Sequence, residues 1–218
     1  MPIVESASCN LVLYTNPWSR GQIARWMLEE TGVPYRQVLL DYGTTMKSPE
    51  YLKINPMGKV PAVVHNGHVI TECAAICAYL ADAFPAAGLA PDVTERADYY
   101  RWMFFAAGPV EAAVSDRMLK AEISEDQQRM VGYGTFDRAV DVLAQAVTAN
   151  PFVAGPKFSA ADVYVGSHVI WGMQFGTLPK RPEFEAYAAK LVSRPTYQAA
   201  KAIDDKLGME LAARQDKG

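Results

Sequence analysis

The chain changes character after residue 84. Up to that point, short apolar runs that are typical of strands alternate with runs of helical spacing. Beyond residue 92 no convincing strand pattern is found, and the segment between, 85–91, contains two prolines and a glycine. We therefore expect an α/β domain over residues 1–84, a linker over 85–91 and an all-helical domain over 92–218.

The first part predicts a small mixed sheet in the order βαβαββα. Apolar strands are expected at residues 11–14 and 35–40, with a helix over 19–31 between them. Asn66-Gly67 between two apolar runs is a strong signal for a β-hairpin, and a further helix then follows over 71–84. A parallel pair with its crossover, followed by an antiparallel hairpin, makes a sheet with helices packed on it.

The second part predicts a series of helices. An aromatic-rich run from residue 94 to about 120 has helical spacing, and Gly108-Pro109 should kink it. Residues 124–127 have the pattern of a capping box, so we expect a second long helix to begin there. Ser159 and Asp162 predict another capping box, with Asp where Glu or Gln is more common.

Composition and charge exclude several classes of protein. The chain has 21 Lys and Arg against 24 Asp and Glu, and no basic run, so a nucleic-acid partner is not expected. No apolar stretch approaches ~18 residues, so no membrane span is expected either. The first residues lack a secretory pattern, and the three cysteines have no zinc-like spacing. These features predict a cytoplasmic protein with reduced thiols.

Common catalytic and metal-binding motifs are missing from the sequence. There is no G-x-S-x-G, and Met57-Gly58-Lys59 lacks the upstream glycine of a phosphate-binding loop. His65 and His68 flank the predicted hairpin turn, and no other residues complete a ligand set. We interpret them as solvated histidines and predict no metal site.

Two features near the hairpin point to a binding site instead. Pro61 would open a strand, and a cis peptide between Val60 and Pro61 would turn the main chain of Val60 outward, free to pair with an extended peptide. Glu72 and Cys73 stand at a predicted helix start, where free N–H groups form an anion site. The alternative is that Glu72 only interacts with the dipole of its own helix.

The turn from the first strand to the first helix is a third feature. The hydroxyl of Ser19 either caps the helix, which the residues alone favour, or donates a hydrogen bond to an anion such as a thiolate. Tyr14 offers the same kind of donor, although a tyrosine in a strand is more often part of the core.

Taken together, these features resemble the glutathione S-transferase superfamily, and its serine-type, largely bacterial members in particular. The resemblance covers nearly the whole chain and rests on four segments, at residues 13–20, 55–63, 70–76 and 158–162. It implies a thioredoxin-like N-terminal domain, an all-α C-terminal domain and a transferase that activates the thiol of glutathione for attack on small hydrophobic electrophiles. Another glutathione-dependent reaction (isomerisation, dehalogenation or peroxide reduction) and a non-catalytic ligand-binding role remain alternatives.

The resemblance also implies roles for residues that bind glutathione. Val60 and Pro61 match the segment that pairs with the cysteinyl backbone of glutathione. Glu72 and Cys73 match an acidic-plus-hydroxyl pair that binds the γ-glutamyl end, but Ser is usual where Cys73 stands. A thiol is a poorer hydrogen-bond donor than a hydroxyl, so binding would depend more on the N–H of Cys73 and on the helix dipole.

The resemblance implies further roles in binding the glycyl end of glutathione, in activating its thiol and in binding the electrophile. Candidates for binding the glycyl carboxylate are Lys47 and Lys59. The thiol-activating residue is expected to be Ser19, with Tyr14 as the second choice and neither as a third possibility. The candidates for the aromatic wall of the electrophile pocket are Trp18, Tyr100 and Phe104. Ser159 and Asp162 match a buried capping motif that is structural, and aromatic content together with the resemblance predicts a homodimer.

Overall fold

The structure is a computed structural model that describes residues 10–215. Its contacts divide these residues into two compact units, one of residues 10–87 with 194–215 and one of residues 88–193. The last helix therefore makes its contacts within the first unit, whereas the sequence suggested a continuous helical domain over 92–218. The expected boundaries at residues 84 and 92 stay a prediction.

The first unit contains a four-stranded mixed sheet, which confirms the predicted thioredoxin-like arrangement. Its strands are β1 (Leu11–Thr15), β2 (Arg36–Leu39), β3 (Ala62–His65) and β4 (His68–Ile70), and their order across the sheet is β2-β1-β3-β4. β1 is parallel to β2 and antiparallel to β3, and β3 pairs with β4 as a hairpin. Both turn residues, Asn66 and Gly67, have positive φ, as a two-residue hairpin turn requires.

Helices make up most of the remaining described residues. In chain order they are α1 (Gly21–Thr31), α2 (Pro49–Leu52), α3 (Cys73–Ala83), α4 (Ala97–Phe105), α5 (Glu111–Met118), α6 (Phe136–Ala149), α7 (Ala160–Phe175), α8 (Pro182–Val192) and α9 (Pro195–Gln215). Local signals explain several of these ends: Ser48 accepts a hydrogen bond from the N–H of Tyr51 at the start of α2, and Gly32 ends α1 in the left-handed conformation. Within residues 10–215, no helix has the length and apolarity needed to cross a membrane.

The aromatic-rich helix is irregular at the position of the predicted kink. Gly108-Pro109 lie in a π-helical turn, Ala106–Val110, which separates α4 from α5. Pro109 has no N–H to donate and its ring opposes a regular α-helical turn, so the hydrogen-bond pattern widens there.

The prediction for the start of the second long helix was wrong. The N–H of Ser124 donates to Gln127 Oε1 at 2.9 Å and the N–H of Gln127 donates to Ser124 Oγ at 3.4 Å, so the reciprocal bonds of the capping box form. Only a short 3₁₀ turn follows, however, and α6 begins at Phe136 after Thr135, whose hydroxyl accepts from Arg138. The two glycines at 132 and 134 oppose helix propagation in between.

The capping box of α7 is confirmed, and Asp162 has further partners in the second unit. Its Oδ2 accepts from the N–H and the hydroxyl of Ser159, at 2.9 and 3.1 Å. Its Oδ1 accepts from the N–H of Val153 and from the hydroxyl of Tyr187 in α8, both at 2.8 Å. Burial raises the pKa of Asp162, and the four hydrogen bonds oppose that rise. The carboxylate thus joins three segments around the start of α7.

Helix α9 and the residue directly before it contact α1 within the first unit through two ionic contacts. Arg25 Nε lies 2.8 Å from Asp204 Oδ1, and both side chains are almost fully buried. Glu30 accepts two hydrogen bonds from the guanidinium of Arg194, at 2.7 and 2.6 Å. Burial raises the pKa of Asp204 to about 6, although the charge of Arg25 acts in the opposite direction.

Candidate active site

The turn between β1 and α1 is organised by Asn16, which the sequence analysis did not single out. Its Nδ2 donates to the main-chain oxygen of Leu40 at 2.8 Å, and its Oδ1 accepts from the N–H of Trp18 at 3.0 Å. Its own carbonyl accepts from the N–H of Ser19 at 3.1 Å. An asparagine before a proline in a turn is the available sequence signal, because its side chain mimics a backbone turn.

The Ser19 hydroxyl lies at the N-terminus of α1. It donates to the main-chain oxygen of Asn16 at 2.6 Å and accepts from the N–H of Gly21 at 2.9 Å. The residue before the first helical turn is Arg20, one position later than the cap predicted at Ser19. Ser19 is half-buried, and its proton must turn away from Asn16 before it can bond to an anion at the helix end.

Gly21 and Thr15 lie in very close contact beneath this turn. A β-carbon on Gly21 would clash with Thr15 Oγ1, so only glycine fits at the first position of α1. Thr15 is fully buried, and its hydroxyl has no hydrogen-bond partner among the described residues. Because Gly21 has no side chain, the first turn of α1 can pack directly on the last residue of β1.

Tyr14 is located in the core of the first unit. It is half-buried, and its ring centroid lies 5.6 Å from that of Tyr51. It packs on a cluster that includes Leu40, Met46 and Ala62. Tyr14 thus has the environment of a core tyrosine, whereas Ser19 lies in the turn itself.

The peptide bond between Val60 and Pro61 is cis, as the sequence analysis suggested. The preceding carbonyl, that of Lys59, accepts from the hydroxyl of Tyr51 at 2.6 Å and from Asn55 Nδ2 at 2.8 Å. These two bonds fix the main chain directly before Val60, which is half-buried.

The two lysines proposed for the glycyl carboxylate differ in their surroundings. Lys47 Nζ donates to the main-chain oxygens of Gly58 and Met57, at 2.8 and 3.3 Å. Gly58 has a φ of +57°, and a β-carbon there would lie 2.8 Å from Lys47 Nζ. Both lysines are exposed, but Lys47 is held by these bonds beside the loop that leads to Val60.

Glu72 and Cys73 stand at the start of α3. Glu72 is exposed, and its φ of 64° lies in a region that residues with a β-carbon rarely adopt. Cys73 is buried, and its Sγ lies 3.7 Å from the main-chain oxygen of Arg20. The starts of α1 and α3 thus lie side by side, and together they bring Ser19 and Glu72 into one region of the first unit.

The three aromatic residues proposed for the electrophile wall are exposed rather than core residues. Trp18, in the first unit, has 51% of its surface exposed. In the second unit, Tyr100 and Phe104 lie one turn apart on α4, with 6.5 Å between their ring centroids. Their exposed fractions are 40% and 67%.

The hairpin histidines have different environments. His68 is exposed, as expected, but His65 is half-buried: its Nδ1 lies 2.9 Å from the hydroxyl of Tyr79, and its ring packs against Phe84. In the part of the chain that the structure describes, no group of three or more His, Cys, Asp or Glu side chains could hold a metal ion.

Comparison with known proteins gives a consistent set of similarities. Residues 10–82 match the family described as "Glutathione S-transferase, N-terminal domain". Glutathione S-transferase A of Pleuronectes platessa is 30% identical over 199 residues, 84% of this chain and 88% of that protein. Glutathione S-transferase GST-4.5 of Xanthomonas campestris pv. campestris is 28% identical over 196 residues, 86% of this chain and 96% of that protein.

A solved structure supports the same similarity. A sphingomonad glutathione S-transferase complexed with glutathione is 28% identical to this chain and superposes with a TM-score of 0.72. The match covers 89% of this chain and 98% of that one.

Proposed function

The chain belongs to the glutathione S-transferase superfamily, and we propose that it is a transferase that adds the thiol of glutathione to small hydrophobic electrophiles. The observation that carries this proposal is the Ser19 hydroxyl, held at the N-terminus of α1 between Asn16 and Gly21. Glutathione-bound relatives support the binding of glutathione, and Ser19 supplies the donor that its sulfur needs.

The electrostatics at Ser19 are sufficient for thiol activation. A free thiol has a pKa near 8.5, and lowering it by about two units requires ~2.7 kcal/mol of preferential stabilisation of the thiolate. A hydrogen bond from Ser19 to the thiolate contributes roughly 1.5–3 kcal/mol, and the dipole of α1 contributes about 0.3–1 kcal/mol more. The proton of the thiol leaves to solvent, and the thiolate attacks the electrophile, so no metal or general base is required.

The rest of glutathione would extend along the end of the sheet where β1 ends and β3 begins. The main chain of Val60 pairs with the cysteinyl backbone, and the carboxylate of Glu72 pairs with the ammonium group of the γ-glutamyl end beside the first N–H groups of α3. Lys47, already fixed near Gly58, is better placed than Lys59 to bind the glycyl carboxylate. In the first unit, the exposed ring of Trp18 would contact the electrophile, and the roles of Tyr100 and Phe104 stay predictions.

We also propose that the protein is a cytoplasmic homodimer. Several large apolar side chains of the described residues are exposed, among them Val93, Phe175 and Met209, and a twofold pairing would cover part of such surface. Light scattering tests the assembly, because a mass near 24 kDa at micromolar concentration would exclude a dimer.

The activity is tested by titrating the protein with glutathione in a calorimeter and then following conjugation of chlorodinitrobenzene. Ser19→Ala should lower kcat/KM by about ten- to a thousandfold, because it removes ~1.5–3 kcal/mol from the thiolate. Ser193→Ala, which removes an exposed hydroxyl in the second unit, serves as the control and should leave kcat/KM unchanged.

Three other results would change the assignment. If Ser19→Ala keeps full activity and Tyr14→Phe loses it, Tyr14 is the donor. Glutathione binding without conjugation of any electrophile would favour a ligand-binding role. Failure to bind glutathione would overturn the proposed function.

A further inference from the structure

Gly208 occupies an interior position of α9, where glycine is unfavourable. The helix runs over 21 residues, and glycine in a helix interior is less favourable than alanine. A glycine at such a place usually has a packing reason. Gly208 is buried, in contrast to its exposed neighbour Met209.

The packing reason is the indole of Trp18. A β-carbon at position 208 would lie 3.0 Å from Trp18 Nε1, and 3.6 and 3.8 Å from two carbons of the same ring. The indole therefore rests directly on the backbone of α9 at this residue, while 51% of Trp18 stays exposed. Trp18 is also the residue next to Ser19 in the turn.

The surface of α9 under the indole is firmly anchored. Asp204 lies one turn before Gly208 on the same side of the helix and pairs with the buried Arg25 of α1. Leu211, three residues after Gly208, is also buried. Because α1 begins at the Ser19 turn, α9 is attached to the same helix whose N-terminus forms the thiol site.

We propose that Gly208 is a positioning residue that sets the place of the Trp18 ring, and through it the size of electrophile that the enzyme accepts. The inference rests on the proposed function, since it assigns the exposed face of Trp18 to electrophile contact. A side chain at position 208 pushes the indole away from α9 and narrows or shifts that apolar surface. The electrophile then binds differently although no residue in contact with glutathione has changed.

The turn itself should stay in place when the indole moves. The N–H of Trp18 donates to Asn16 Oδ1, and the Ser19 hydroxyl is held by Asn16 and Gly21. None of these bonds involves the indole. A substitution at Gly208 should therefore affect the two substrates differently. KM for glutathione and the pH dependence set by its thiol should stay unchanged, while KM for the electrophile changes.

The test compares Gly208→Ala and Gly208→Val with wild type, using chlorodinitrobenzene as a compact electrophile and bromosulfophthalein as a bulky one. We expect the ratio of kcat/KM for the two electrophiles to change by roughly tenfold in Gly208→Val, and by less in Gly208→Ala, with KM for glutathione unchanged. Ala202→Val adds volume to the exposed face of the same helix and is the matched control.

A second measurement does not depend on activity. In nitrogen–proton correlation spectra of the full chain, the indole signal of Trp18 is identified by its loss in Trp18→Phe. It should move in Gly208→Ala and stay in Ala202→Val. The inference is overturned if the signal does not move in Gly208→Ala. It is also overturned if the signal moves but the ratio of kcat/KM for the two electrophiles stays the same. Either result leaves the transferase assignment intact. A wild type that binds glutathione but conjugates neither electrophile overturns the proposed function instead.

Discussion

The Sγ atom of Cys73 lies 3.7 Å from the main-chain oxygen of Arg20. Cys73 is the first residue of α3, and Arg20 directly precedes α1, so this contact joins the N-termini of two helices. Both ends carry N–H groups that have no partner within their helix, and both are positive ends of a helix dipole. An elongated anionic ligand such as glutathione, with a thiolate on its central residue and a carboxylate at each end, suits such a pair.

Replacing Cys73 by serine should leave glutathione affinity equal or make it tighter. A hydroxyl is a better donor than a thiol, and serine is the smaller side chain, so the site loses nothing by the change. The dissociation constant is measured by calorimetry. Cys77→Ser is the contrasting variant: Cys77 is fully buried in α3, and burying a hydroxyl there should lower the unfolding temperature. Clearly weaker binding in Cys73→Ser would show that the thiol itself is required.

Glu72→Ala should lower the affinity for glutathione strongly and the stability of the fold only slightly. The side chain is exposed, so its removal leaves no buried partner, whereas a charge-assisted hydrogen bond to the ligand is worth roughly 1.5–3 kcal/mol, or about ten- to a hundredfold in affinity. Calorimetry and a thermal unfolding curve measure the two effects. Glu50→Ala, another exposed glutamate of the first unit, should change neither. Equal affinity in Glu72→Ala and wild type would remove Glu72 from the site.

The stability of the first unit should depend on pH through Asp204. Its pKa in the folded protein is raised from 3.8 to about 6 by burial, so the folded state binds a proton that the unfolded state releases between these values. The stabilisation from this proton is fully present below pH 3.8 and is lost as the pH rises through about 6. At ~1.36 kcal/mol per pKa unit, the loss is of the order of 2–3 kcal/mol.

Urea unfolding of wild type and Asp204→Asn at several pH values checks this. The free energy of unfolding of wild type, relative to the variant, should fall as the pH rises from about 4 to about 7. Asp141→Asn, which changes an exposed carboxylate in the second unit, is the control, and a pH trend shared by both variants would not be specific to Asp204. A pH-independent difference for Asp204→Asn would mean that Arg25 holds the carboxyl near its ordinary pKa.

Much of the fold follows from local sequence signals. Asn66-Gly67 fixes a hairpin because both residues tolerate positive φ, and the box of Ser159 and Asp162 starts α7 because its bonds span only three residues. The same kind of box at Ser124 forms its bonds and yet fails to start a long helix. A cap satisfies the first N–H groups, but the residues that follow it decide whether a helix continues.

The parts that the sequence did not reveal depend on contacts between distant residues. Arg25 and Asp204 are 179 positions apart, and nothing local to either residue indicates that α9 packs against α1. The closeness of Gly208 to Trp18 is of the same kind. At the candidate site, the motif at residues 17–20 pointed to Ser19, but the organising role of Asn16 became visible only with its bond to Leu40.

Asp162→Ala should damage folding of the second unit without touching the chemistry. Its carboxylate accepts four hydrogen bonds from Ser159, Val153 and Tyr187, all of which are buried. Each buried donor left without a partner costs about 1–3 kcal/mol, so the total loss should reach several kcal/mol, a large part of the stability of a typical domain. We expect a much lower unfolding midpoint, and near-normal kcat for the fraction that folds. Asp141→Ala, which breaks the exposed pair with Arg181, should cost no more than ~1 kcal/mol. A variant at Asp162 with wild-type stability and lost activity would place this carboxylate in the catalytic site and contradict its structural role.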